Sequence, residues 1–105
     1  MATGRLAAQD MSAATLTTVY NTPAATYTVA SVTICNRGAV ASNISIAIAD
    51  VATPLVGEYI EFETTLLAKN VLERTGIVLA ATQKIVVLSS QSSVSAVVVG
   101  IETAA

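Results

Sequence analysis

The chain has 105 residues, of which 53% are hydrophobic and only 11% charged, with a formal net charge of −2 and neither His nor Trp. One domain of this length holds a real core, yet it has less than half of the roughly 25% charged residues with which a soluble domain usually covers its exterior. The five cations, Arg5, Arg37, Lys69, Arg74 and Lys84, are scattered, which argues against a nucleic-acid surface, and no apolar run approaches the roughly 20 residues of a membrane-spanning helix.

Met1 to Ala14 is Ala-rich, with neither strand alternation nor a helical stripe, and contains no continuous apolar stretch of the secretory-signal kind. It is expected to be an N-terminal arm, residues 1–14, ahead of a folded domain over residues 15–105, and synthesis in the cytoplasm is expected. From Thr15 onward Thr, Val, Ile and Tyr crowd into short runs separated by turn chemistry, the pattern of successive strands. Thr15 to Tyr20 is the first, ended by Asn21-Thr22-Pro23, because proline fixes φ and lacks an amide hydrogen. Ala25 to Asn36 is a long strand in which the apolar phase changes from Tyr27 and Val29 to Val32 and Ile34. A bulge near Ala30-Ser31 is the expected cause. Asn36-Arg37-Gly38 then turns the chain.

Ser42 to Asp50 has the clearest alternation, with Ile44, Ile46 and Ile48 against Ser45, Ala47 and Ala49, and predicts a half-buried strand. A loop with Pro54 and Gly57 leads to a strand over Glu58 to Thr64, in which Ile60 and Phe62 form an apolar face and Glu61 and Glu63 an acidic one. Thr65 to Arg74 also suits a short helix, but a turn at Lys69-Asn70 into a strand fits better. Thr75-Gly76 interrupts it before Ile77 to Leu79. Lys84 to Ser89 and Val94 to Ile101 complete about seven strands. The last is apolar on both faces, so it lies in a sheet covered on both sides or meets another subunit. Turns every 8 to 12 residues and no dependable helix predict an all-β, two-layer antiparallel sandwich, Ig-like or jelly-roll-like.

Nothing along the chain supplies a reaction centre. Zinc and general-base chemistry draw on His, Cys and carboxylates at close spacing, whereas this chain has no His and one Cys. Cys35, within a strand-like stretch, reads as a buried structural thiol. Glu58, Glu61 and Glu63 do not share one face and read as an acidic edge that discourages strand pairing. Ser89, Ser90, Ser92 and Ser93 lack a base and a Gly-x-Ser-x-Gly elbow, and the glycines are too dispersed for a phosphate loop. Tyr20, Tyr27 and Tyr59 read as packing residues rather than a glycan platform. The expectation is a protein that is not an enzyme and takes no cofactor or metal.

Four passages carry a resemblance: Val-Thr-Ile-Cys-Asn-Arg-Gly over 32–38, Tyr-Ile-Glu-Phe-Glu over 59–63, Leu-Glu-Arg-Thr-Gly-Ile-Val-Leu over 72–79, and Val-Gly-Ile-Glu over 99–102. On these, from Thr15 to Glu102, the chain resembles small virion structural proteins of tailed bacteriophages, cyanophages in particular. The motifs mark turns and core alternation. The resemblance implies a virion location and, for a short chain with an arm, a capsid decoration (cement) protein. Such a protein would bind the major capsid protein or a neighbouring virion protein and its own copies, a trimer being favoured over a dimer, with no nucleic acid or membrane partner. Val97, Val99 and Ile101 are the expected subunit interface, and Arg5, Leu6 and Met11 the expected contacts of the arm. The alternative is a tail, baseplate or fibre component that recognises a host-surface glycan through Tyr59 and the strand from Glu58 to Glu63.

Overall fold

A computed structural model describes residues 2–105. It is an all-β sandwich of two four-stranded antiparallel sheets. The strands are β1 (Thr3–Asp10), β2 (Thr17–Asn21), β3 (Thr26–Asn36), β4 (Ser42–Ala49), β5 (Tyr59–Leu66), β6 (Val71–Leu79), β7 (Lys84–Ser89) and β8 (Val94–Ala104). One sheet has the order β1-β8-β3-β6 and the other β2-β7-β4-β5. Between them lies the core: Ala30, Val32 and Ile34 of β3, Val94, Ala96 and Val98 of β8, and Ile77 and Leu79 of β6 meet Ile44 and Ile46 of β4, Ile85 and Val87 of β7, and Leu66 of β5. These are the period-two inner positions of each strand.

Eight strands form instead of about seven, because the expected arm is a strand. Thr3–Asp10 pairs antiparallel with β8, from Thr3 opposite Ile101 to Asp10 opposite Ser95. A bulge between Arg5 and Ala7 breaks its alternation, so that Leu6 and Ala7 both pack against the core. The chain then buries Met11 to 2% exposure and donates its amide to the Val94 carbonyl at 2.8 Å. Leu6 and Met11, expected to reach a neighbour, are spent inside this domain, and the sandwich starts at Thr3 rather than at residue 15. Met1 lies outside the described residues.

The phase change in β3 has a different origin from the expected one. Against β8 this strand is regular over its whole length, from Thr26 opposite Ala104 to Asn36 opposite Val94. Its even-numbered residues, Thr26 to Asn36, are all buried, while Tyr27 and Val29 stand on the outside. The register shift lies opposite, where β3 advances from Ala30 to Val32 as β6 runs from Ile77 to Arg74. Gly76 takes φ +70° within that extra turn of chain, a conformation that costs glycine little. Thr75-Gly76 thus bulges one continuous strand rather than dividing two.

The face expected to be buried in β5 is inverted. Ile60 and Phe62 are exposed, whereas Glu61 is buried at 8% exposure. Its Oε1 accepts a hydrogen bond from Thr64 Oγ1 at 2.6 Å, and its Oε2 is ion-paired with the Arg74 guanidinium of β6. Two register shifts between β4 and β5 and a positive φ at Glu63 turn the strand so that the carboxylate reaches across the open side of the sandwich. A buried carboxylate is tolerable only when so paired.

Asn36 ties the turns at one end. Its Nδ2 donates to the carbonyls of Val40 at 2.9 Å and Leu66 at 3.1 Å, and its Oδ1 accepts the Gly38 amide at 3.0 Å. Its backbone also bonds the β5–β6 turn, through Asn70 and Lys69.

Candidate functional site

The two sheets differ in what covers their outer faces. In β4 the outward residues Ser45, Ala47 and Ala49 are buried, as is Val86 beside them on β7. The segment from Asp50 to Glu58 is largely exposed, and its single 3-10 turn over Val56–Glu58 comes close to β4. It is tethered by Lys84 Nζ, which donates to the Asp50 carbonyl at 3.2 Å. The strand expected to be half buried is thus buried on both faces over Ile44–Ala47.

Among the described residues no segment covers the outer side of the β1-β8-β3-β6 sheet, where Val29, Val78, Val99 and Ile101 are exposed. The register aligns its outward side chains in rows across the strands. One row runs Thr3, Ile101, Val29, Val78, and the next begins Arg5, Val99, Ser31. A third has Ala8, Val97, Thr33 and Glu73. Tyr27, Val29, Val78, Val99 and Ile101 are between 41% and 65% exposed, and Val97 is half-buried. Apolar side chains grouped in this way call for an explanation, while single exposed apolar residues would not.

The three residues expected at a subunit interface, Val97, Val99 and Ile101, thus share this face, in the middle of the sheet. Sequence reading missed Tyr27, Val29 and Val78, whose signal was present: the phase change in β3 was itself a second two-faced apolar strand. Cys35, expected to be buried, is a partly exposed neighbour of Ser95 and Val71 on the same face. Arg5, expected in the arm, stands at its β1 edge.

The remaining candidates are used structurally. Glu58 caps its own turn through the Leu55 amide at 2.7 Å, Glu61 is paired with Arg74 and Glu63 is exposed, so the three carboxylates do not converge. Among the described residues no three His, Cys, Asp or Glu side chains come together to hold a metal. The Ser89 and Ser42 hydroxyls bond one another at 2.7 Å in a buried pair. The tyrosines lie apart. Tyr20 donates to Glu102 Oε2 at 2.5 Å and bonds Thr28 at 2.9 Å at the edge of the core, and Tyr59 meets Phe62 edge-on at 5.1 Å. The hydroxyl of Tyr20 is pushed above its ordinary value by burial and by Glu102, while the carboxyl of Glu102 is held below its own by that hydrogen bond and by the Ala2 amide. A groove of about 390 Å³ opens between the free edges of β5 and β6, lined by Ile48, Ile60, Arg74 and Ile77.

Fold and face together define a small sandwich whose β1-β8-β3-β6 sheet leaves apolar side chains exposed on its outer side. Comparison of the chain with protein-family models, curated proteins and solved structures finds no match.

Proposed function

We propose that the chain is a structural component of a bacteriophage particle, a capsid decoration protein that binds its own copies and the major capsid protein and so stabilises the shell. The observation that carries this reading is the bare apolar face formed by Tyr27, Val29, Val78, Val99 and Ile101. Apolar area contributes roughly 25 cal/mol per Å² when it leaves water, and a protein that binds only the assembled shell stabilises it by mass action. The low charge of the chain and the resemblance of its turn and strand motifs to phage virion proteins support the same reading. Quantitation of the protein in gradient-purified particles tests it. Hundreds of copies per particle are expected, and absence from the particles would refute the proposal.

A second reading, a tail or baseplate component that binds a host glycan, draws on the Tyr59–Phe62 pair, since Phe62 is largely exposed beside it on β5. A dozen or fewer copies per particle, with glycan-array binding lost in Tyr59→Ala, would favour it over decoration.

A further inference from the structure

We propose that two copies of this chain associate face to face through the outer surfaces of their β1-β8-β3-β6 sheets, about a twofold axis parallel to the strands. This rests on the reading of that face as an association surface and names its partner. Four strands about 4.8 Å apart and about eight residues long at about 3.4 Å each make a face of about 500 Å². Two such faces bury about 1,000 Å², the lower bound for a specific interface. This flat face can meet the same face of a second copy isologously, whereas a trimer ring would need a second, different patch, so the proposal is a dimer in place of the expected trimer.

The register supplies the match. Turning one copy by 180° about an axis along the strands, between β8 and β3, lays β8 of one copy over β3 of the other and β1 over β6. Ile101 then meets Val29 of the second copy, Val99 meets Ser31, and Thr3 meets Val78, all on rows fixed by the strand pairing. Aligned sheets packed in this way stand about 10 Å apart.

Charge fits the same operation. Arg5 at the β1 edge makes no ion pair among the described residues. Glu73 at the β6 edge is held on the face by Thr33, whose Oγ1 donates to it at 3.5 Å. The twofold brings Arg5 of each copy one row, about 7 Å along the strands, from Glu73 of the other, within the reach of an arginine side chain. Two such pairs flank an apolar centre, as in a polar rim around an interface core. A twofold perpendicular to the strands would instead lay β1 over β1 and leave both charges unmatched.

Analytical ultracentrifugation of the full chain tests this with R5E, E73R and their equimolar mixture, each checked for folding by circular dichroism. The wild type is expected to sediment as a dimer. Each single variant sets like charges against each other twice and is expected to raise the dimer dissociation constant at least about tenfold. Mixing the two restores both attractions, so the 1:1 mixture is expected to regain the dimer mass, a rescue that an effect within one chain cannot produce. A wild-type monomer or trimer, or a mixture no stronger than its components, would overturn the proposal. Co-sedimentation with particles separates it from the virion reading. A dimer absent from particles refutes that reading and supports the twofold, whereas a particle-bound monomer refutes the twofold alone.

Discussion

Replacing Asn36 by Ala removes one side chain and three hydrogen bonds, to the Val40 and Leu66 carbonyls and from the Gly38 amide, at 2.9, 3.1 and 3.0 Å. Asn36 is almost wholly buried, so water cannot readily replace them. At about 1 kcal/mol each, the loss is about 3 kcal/mol, a large part of the 5–15 kcal/mol typical of a domain. For a chain of this size it lowers Tm by about 12 °C. Asn36→Asp should be at least as damaging near neutral pH. It keeps the acceptor for Gly38 but sets a buried carboxylate against two carbonyl oxygens, which is worse than an unmade bond. Urea and thermal unfolding of the two variants, followed by far-UV circular dichroism, measure both values. An N36A domain within about 0.5 kcal/mol of the wild type would refute the claim that this side chain fastens the β3–β4 loop to the end of β5.

Gly100→Ala should be strongly destabilising, because the added Cβ would stand 2.2 Å from the Val29 carbonyl oxygen and 2.8 Å from the Ala30 Cα. Overpacking against backbone costs about 1–3 kcal/mol or more, and an unchanged urea midpoint would contradict the close approach of β8 to β3. Met11→Ala should cost about 2–4 kcal/mol as a core truncation, and removal of residues 1–14 still more, since β1 goes with it. A fully stable truncated domain would restore the arm in place of the strand. Stability should fall at both pH extremes through the Tyr20–Glu102 bond. The lowered carboxyl of Glu102 means that the unfolded chain binds its proton first, so its contribution is complete above the ordinary glutamate value and is lost as pH falls to the folded one. The raised hydroxyl of Tyr20 makes stability drop as pH rises past the ordinary tyrosine value. Urea midpoints across pH should show a shallower acid limb in Glu102→Gln and a shallower alkaline limb in Tyr20→Phe, and unaltered limbs would disprove the linkage.

What local pattern carries was readable from sequence: β4 by its alternation, β7 and β8 as apolar runs bounded by turns, the turn at Lys69-Asn70 and the two-layer class. What escaped reading depends on contacts distant in the chain. β1 has Gly4, two alanines and a bulge in place of alternation, and exists because β8 offers it an edge. The burial of Glu61 comes from Arg74 on the other sheet, which no pattern within Tyr59–Leu66 can announce. Of the candidate face, Val97, Val99 and Ile101 were legible because a strand apolar on both sides needs cover on both faces, within the sheet stack or from another chain. Tyr27 and Val29 belong to a strand of the same kind, but their alternation with inward threonines resembled a slip in register.

The position of β8 in the bare sheet has a consequence for synthesis. It is the last of the eight strands to leave the ribosome, yet it sits between β1, the first, and β3, and pairings so distant in sequence form late in folding. Until β8 inserts, β1 has no neighbour in its sheet and the rows from Arg5 to Ser31 and from Thr3 to Val29 have a gap in the middle. The outer surface of this sheet is therefore complete only once β8 is in place. On the proposed twofold, a chain whose β8 has not yet inserted has no complete face to offer a second copy.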